Sequence, residues 1–301
     1  MTRPTPLQPG DSIAIVSPAS AIDPALVRGA ADTIARLGYK PLIMPHAIGR
    51  RGSYSASAAE RLSDIAQALN DKAVRAILCT RGGYGAVHLL PELDSIITDP
   101  KWLIGFSDIT ALHALWARHG IVSIHSSMAR QLADGPQSEP TDRLFDILTG
   151  GSPTMSWVNT TTGTNRPGTA TGRLVGGNLA VLDALAATPY YTPRPGDILF
   201  IEDIAEPIYK VERILWRMRL SGLLDNLAGL IVGRFTEYKP DRNYETMEAM
   251  IADMTASTAY PIAFNAPIGH IGPDNLPIMH GATATLSVTA DGDGATLAYA
   301  D

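Results

Sequence analysis

The sequence predicts an α/β protein, with a parallel sheet covered by helices in the first half and further strands and helices in the second. Three observations point there. Short β-rich runs alternate with amphipathic helical patterns through the first half, the pattern of a parallel sheet with helices on both faces. A length of 301 residues suits two domains of roughly 150 residues each. A stretch dominated by Ser, Thr, Gly, Asn and Pro lies over residues 151–171 and reads as a linker, giving domains at 1–150 and 172–301.

The elements follow in order. Ser12–Val16 is a buried strand that stops at Ser17-Pro18. Asp23 caps a helix with Pro24 in its first turn, and Val27, Ile34 and Leu37 form an apolar stripe ending at Gly38. Pro41–Met44 is a second strand, and Ser57 caps a helix carrying Leu62, Ile65 and Leu69. Val74–Thr80 is a third strand running into Arg81-Gly82-Gly83-Tyr84-Gly85. Lys101–Phe106 is a fourth, followed at once by a helix from Asp108 to His119, and Ile121–His125 is a fifth. Parallel sheets of this kind place their sites at the carboxyl ends of the strands.

Beyond the linker, Arg173–Asn178 leads into a helix over 179–187. Asp197–Asp203 is a strong strand, and Pro207 opens an amphipathic helix through Leu220, with Val211, Ile214, Leu215 and Met218 on one face. Leu227–Phe235 and Pro261–Phe264 are strands, Glu245–Met254 is a helix, and 284–300 reads as a hairpin around Asp291-Gly292-Asp293-Gly294.

Composition narrows the function classes. Apolar residues make up 45% and charged residues 18%, which calls for a large core and rules out disorder as the main state. The formal net charge is −6, from 24 Lys and Arg against 30 Asp and Glu, so no nucleic-acid partner is expected. One cysteine, Cys79, excludes an intrachain disulfide and a Cys-rich zinc site. No apolar run reaches ~18 residues, and the first ten residues lack the apolar stretch of a secretory signal. A cytoplasmic enzyme without a membrane partner is the expectation.

Several residues can carry chemistry. Ser107 sits where a strand ends and a helix begins, a position that exposes a nucleophile beside unpaired backbone N–H groups; it is equally a position for an ordinary N-cap serine. The glycines of Arg81–Gly85 can bring backbone N–H groups close to a ligand, although their spacing fits neither a dinucleotide nor a P-loop fingerprint. Glu202 and Asp203 close a strand, and period-2 alternation sends them to opposite faces. Among seven histidines, His270 stands in a loop after a strand, where an imidazole has room to act as a base. No His-x-x-x-His pair occurs, so no metal is expected. These residue types allow a Ser–His–carboxylate site without choosing its members.

Taken together, five segments resemble the LD-carboxypeptidase family of serine peptidases. They are Arg81–Gly85, Gly105-Phe106-Ser107-Asp108-Ile109-Thr110, Gly176-Gly177-Asn178-Leu179, Glu202-Asp203-Ile204 with Tyr209–Arg213, and Gly269-His270. The resemblance runs over nearly the whole chain. It implies a doubly wound N-terminal domain supplying a serine and a smaller mixed C-terminal domain supplying a glutamate and a histidine. By motif the triad falls on Ser107, Glu202 and His270, the backbone oxyanion donors on Gly83 and Asp108, and substrate contacts on Arg81, Gly82 and Asn178. It implies no cofactor, a small-peptide substrate and a homodimer. The activity implied is release of a C-terminal D-amino acid, D-Ala, from a murein tetrapeptide during cell-wall recycling. A microcin-type immunity peptidase acting on a peptidyl nucleotide is the alternative, and a non-catalytic binder of small peptides or nucleotides a third. One departure from the family bears on substrate contacts: Asn275–Gly281 stands where many carboxypeptidase members read Pro-Leu-Gly.

Overall fold

A computed structural model describes residues 1–159 and 165–300; residues 160–164, inside the stretch expected to be a linker, and residue 301 lie outside the described residues. In chain order the strands are β1 (Ser12–Val16), β2 (Lys40–Ile43), β3 (Val74–Cys79), β4 (Trp102–Gly105), β5 (Ser123–His125), β6 (Met155–Val158) and β7 (Gly168–Asn178). They continue as β8 (Ile198–Ile204), β9 (Gly229–Thr236), β10 (Ile262–Ala263), β11 (Ile278–His280), β12 (Thr283–Val288) and β13 (Gly294–Tyr299). Two compact units result, one of Met1–Gly151 with Gly272–His280, the other of Ser152–Ile271 with the chain from Gly281 onward.

The first unit holds a sheet of order β11-β5-β4-β3-β1-β2. Its pairs from β2 through β5 are all parallel. The strand order reverses at β1, where the chain steps to β2 on one side and to β3 on the other. With right-handed crossovers, that reversal sends successive helices to opposite faces. Helix Pro24–Arg36 packs with Ala129–Ala133, while Ala58–Asn70, Leu90–Asp94 and Thr110–Arg118 form a second group. Both early helices begin where their caps require. Asp23 accepts from the Ala25 N–H at 2.8 Å, and Ser57 and Glu60 form a reciprocal capping box. The doubly wound architecture expected from the sequence is present.

One strand of this sheet comes from much later in the chain. β11 adds antiparallel to β5, with His280 opposite Ser123 and Ile278 opposite His125. Residues 272–280, given to the C-terminal domain by their place in the chain, thus group with the first unit. A three-residue strand paired with a remote partner leaves no local pattern to read.

The second unit carries a sheet of order β10-β9-β8-β7-β12-β13-β6. Its centre is β7, whose residues 168–173 pair antiparallel with β12 and whose residues 174–178 pair parallel with β8. Within the Ser- and Gly-rich stretch expected as a linker, the short strand that Met155-Ser156-Trp157-Val158 marks in the sequence is present as β6, and the start of β7 is a further strand of this sheet. Trp157 secures β6 there, its indole N–H donating to the Phe264 carbonyl at 2.9 Å. Val211, Leu215 and Met218 of the helix Ile208–Leu220 pack on Leu199, Ile201, Leu230 and Val232, together with Met250 and Ile251. The helix expected over 179–187 ends at Ala184, with Ala187 at φ 62°. Pro189 stands two residues on, and a proline disfavours the helical conformation just before it. No helix among the described residues is long and apolar enough to cross a membrane.

Candidate active site

In the first unit, residues expected at the site gather at the carboxyl ends of β1, β3 and β4, beside the point where the strand order reverses. Ser107 follows β4 and Phe106 and is half-buried. Its φ is 65°, in the left-handed region that side-chain-bearing residues avoid, a cost of about 1–3 kcal/mol held by the surrounding structure. An N-capping serine adopts extended angles. Here Phe106 has them, and Ser107 is already the first residue of a 3₁₀ turn leading into the helix Thr110–Arg118.

Close packing and hydrogen bonds hold the glycine loop between this turn and Ser20. A Cβ on Gly82 would lie 2.8 Å from Ser107 Cβ and 2.9 Å from its Oγ, so only glycine lets the loop come this close. Gly83, at φ 99°, would drive a Cβ to 2.3 Å from Ser20 Oγ. Ser20 in turn accepts from the Tyr84 N–H at 3.2 Å, and its own N–H donates to the Gly82 carbonyl at 3.2 Å. The Asp108 side chain is buried and accepts from the Ala86 N–H at 2.9 Å. Burial raises its pKa, and the Ala86 hydrogen bond and the charges of His88 and Arg61 offset only part of that rise.

Below the turn, His113 is fully buried and donates from Nε2 to the Gly105 carbonyl at 2.8 Å, while its Nδ1 meets Ser123 Oγ at 2.8 Å. The carbonyl can only accept, which fixes the tautomer. Burial lowers the imidazole pKa to about 4, so it stays neutral. Arg81 is exposed, donates to the Ala21 carbonyl at 3.2 Å, and makes no ion pair among the described residues.

The second unit brings Glu202 and His270 together. Glu202, on β8, is fully buried, and its Oε2 lies 2.7 Å from His270 Nδ1. A carboxylate accepts, so Nδ1 carries the proton and Nε2 is left as the basic nitrogen. Burial works to lower the His270 pKa, but the Glu202 hydrogen bond and the charges of Glu202, Asp203 and Glu237 outweigh it, and the pKa is raised.

The register of β8 against β9 shifts at Glu202, between the Ile201–Val232 and Asp203–Phe235 pairs. Asp203 turns to other partners: its Oδ1 accepts from Asn178 Nδ2 at 2.8 Å and its Oδ2 from the Ala180 N–H at 2.9 Å. Burial and the neighbouring charge of Glu202 push its pKa up to about 6. Asn178 also caps the helix Leu179–Ala184, accepting from the Val181 N–H at 3.2 Å.

Gly269 makes the Glu202–His270 pair possible. At φ 114°, a Cβ there would sit 2.9 Å from both Cβ and Oε2 of Glu202. Gly269→Ala is therefore expected to force His270 and Glu202 apart, cutting turnover at least ~100-fold while the far-ultraviolet circular dichroism stays native. Turnover within a few-fold of wild type would show that the pair does not depend on this close approach.

The expected residues thus fall into two sets: Arg81, Gly82, Gly83, Ser107 and Asp108 in the first unit, Asn178, Glu202 and His270 in the second. Sequence reasoning did not single out Ser20 or His113, whose partners lie in other elements. No group of three or more His, Cys, Asp or Glu among the described residues is arranged to hold a metal ion.

Comparisons with known proteins match both halves of the chain. Residues 13–126 match the LD-carboxypeptidase N-terminal domain and residues 171–286 the LD-carboxypeptidase C-terminal domain. The murein tetrapeptide carboxypeptidase of Pseudomonas aeruginosa is 31% identical over 290 residues, covering 93% of this chain and 94% of that protein. Among solved structures, muramoyltetrapeptide carboxypeptidase from Oxalobacter formigenes superposes with a TM-score of 0.84 at 28% identity, covering 96% of this chain and 99% of the other. An MccF-like protein from Bacillus anthracis superposes with a TM-score of 0.86 at 25% identity over 100% of both chains. From its glycine loop to its Glu202–His270 pair, this chain belongs to the LD-carboxypeptidase family.

Proposed function

We propose that the protein is a serine-type LD-carboxypeptidase that releases the C-terminal D-alanine from murein tetrapeptide. The observation that carries this reading is the buried Glu202 carboxylate 2.7 Å from His270 Nδ1, an arrangement that keeps the proton on Nδ1 and makes Nε2 the basic nitrogen. His270 takes the proton of Ser107 as the hydroxyl attacks the scissile carbonyl, then delivers it to the leaving amine. Glu202 holds the imidazole in the right tautomer and stabilises its cation. The backbone N–H groups of Gly83 and Asp108 receive the oxyanion. Water then cleaves the acyl-enzyme, with His270 again as base. The same reading places the enzyme in the cytoplasm as a homodimer, which light scattering of the purified protein tests.

Arg81 is assigned the free carboxylate of the departing residue. Among the described residues its guanidinium donates to the Ala21 carbonyl, and it can take a carboxylate through two parallel hydrogen bonds. Arg81→Met is expected to lower kcat/KM for the free-acid tetrapeptide about 100-fold and for its C-terminal amide only a few-fold. Equal losses on the two substrates would reduce Arg81 to a brace for the loop. The likeness to the MccF-like structure supports a second reading, hydrolysis of a peptidyl nucleotide. Mass analysis of products from tetrapeptide and from a peptidyl-adenylate offered side by side decides between them.

A further inference from the structure

We propose that the Arg61 guanidinium and the Asp108 carboxylate are positioning groups for the oxyanion site: together they clamp the Gly85–Ala86 peptide group and so set the Gly83 N–H relative to the Asp108 N–H. The proposal rests on the peptidase reading above, which gives the oxyanion to those two N–H groups.

The clamp is built on one peptide plane. Arg61 Nη1 donates to the Gly85 carbonyl at 2.9 Å, and the Ala86 N–H donates to Asp108 Oδ2 at 2.9 Å. That carbonyl and that N–H belong to the same planar unit, so a cation holds one polar end and an anion the other. The two charges also act on each other. Only glycine suits the position: Gly85 has φ 122°, and a Cβ there would lie 2.9 Å from Tyr54 Cε1 and 3.0 Å from Arg61 Nη1.

Both charged side chains are buried, a costly placement unless each is hydrogen-bonded. Arg61 is a rigid post. It donates also to the Pro18 carbonyl and to the Ala56 carbonyl at 3.2 Å, meets His88 Nδ1 at 3.3 Å, and lies 5.0 Å from the centre of the Tyr54 ring. Asp108 is placed differently. An acid at the start of a helix ordinarily serves the N–H groups of that helix. This one reaches out of its own turn to Ala86, at the far end of the glycine loop.

At the near end the loop is tied to Ser20 by two neutral bonds, each of 3.2 Å. Hydrogen bonds to ionised groups are shorter and roughly twice as strong, so the clamp governs how the loop sits. One residue thereby serves both donors. Asp108 offers its own main-chain N–H, and its side chain holds the segment that carries the Gly83 N–H. Such donors act only within a few tenths of an ångström of their best distance to the oxyanion.

The test separates stabilisation of the oxyanion from binding of the substrate. Asp108→Ala is expected to lower kcat on the tetrapeptide about 100-fold, with KM within about three-fold of wild type. Asp108→Asn keeps an oxygen that accepts from the Ala86 N–H and is expected to bring kcat back to within about ten-fold of wild type. Arg61→Lys keeps the charge but not the planar fork, and kcat is expected to fall about ten-fold at unchanged KM. A peptide boronate forms a tetrahedral adduct on Ser107 with an oxygen where the oxyanion develops, and should bind Asp108→Ala about 100-fold more weakly. Affinity for the intact tetrapeptide, read by calorimetry on Ser107→Ala with and without Asp108→Ala, should stay within about three-fold. Wild-type kcat in Asp108→Ala or in Arg61→Lys overturns the proposal and leaves the peptidase reading standing. Equal losses of boronate and tetrapeptide affinity do the same. A wild type that cleaves neither tetrapeptide nor peptidyl-adenylate, and does not take the boronate, ends both.

Discussion

Ser107→Ala is expected to remove hydrolysis almost completely, lowering kcat by about 10⁴-fold or more, with the melting temperature unchanged or higher. In the proposed mechanism the substitution deletes the nucleophilic oxygen, and it removes no packing of consequence, since Ser107 is only half-buried. Alanine at φ 65° inherits the same backbone strain. The combined loss is the sharper measurement. Residues acting as one unit are grossly non-additive, so Ser107→Ala with His270→Ala should cost little more than either alone. Losses that multiply would assign the two residues to independent roles, and near-wild-type turnover by Ser107→Ala would end the serine mechanism.

Glu202→Gln is expected to be nearly as severe, at roughly 10³–10⁴-fold in kcat, because an amide can donate to Nδ1 and so favour the wrong tautomer. It also moves the pH profile. In the proposed mechanism His270 must be neutral to accept a proton, and its pKa is raised above the ordinary 6.5 through Glu202 and the nearby acids, against the effect of burial. Activity of the wild type therefore falls as pH drops through that raised value. Removing the Glu202 charge shifts this acid limb to lower pH. Stability changes in the opposite sense. A raised folded-state pKa gives stability that is fully present below about 6.5 and is lost as pH rises through the folded value. Glu202→Gln should thus cost more in melting temperature at pH 6 than at pH 9. An acid limb that does not move would detach Glu202 from the titrating imidazole.

Much of the first sheet was legible because several of its strands are locally marked: β1 is a short apolar run stopped by Ser17-Pro18, and β3 is one that runs into the glycine loop. The position of Ser107 was legible too, but its role was open between cap and nucleophile. The left-handed φ, which an N-cap serine does not adopt, goes with the close approach of Gly82, a contact from another element. Alternation along β8 predicted that Glu202 and Asp203 part company, and they do, one toward His270 and the other toward Asn178 and Ala180. Alternation could not say which of them meets the histidine; the family resemblance supplied that choice. The Asp108 carboxylate ties Ala86 to the serine turn, a contact between elements that no local pattern marks. His113 likewise takes its two partners, Ser123 and Gly105, from strands it does not adjoin in sequence.

The lone antiparallel strand on the edge of the first sheet has a consequence for how the chain is made. β11 pairs with β5 and brings His280 against His113, the rings stacked 5.6 Å apart. Every strand from β6 to β10 is synthesised between these partners. While a nascent chain holds only residues 1–151, β5 is an open edge, its N–H and C=O groups ready to pair with another copy. Closing such a long loop costs little more than closing a short one, but it comes late and slowly. A gene cut between the two units at residue 151 would keep the serine and every parallel strand of the first sheet, and would yield a fragment prone to self-association.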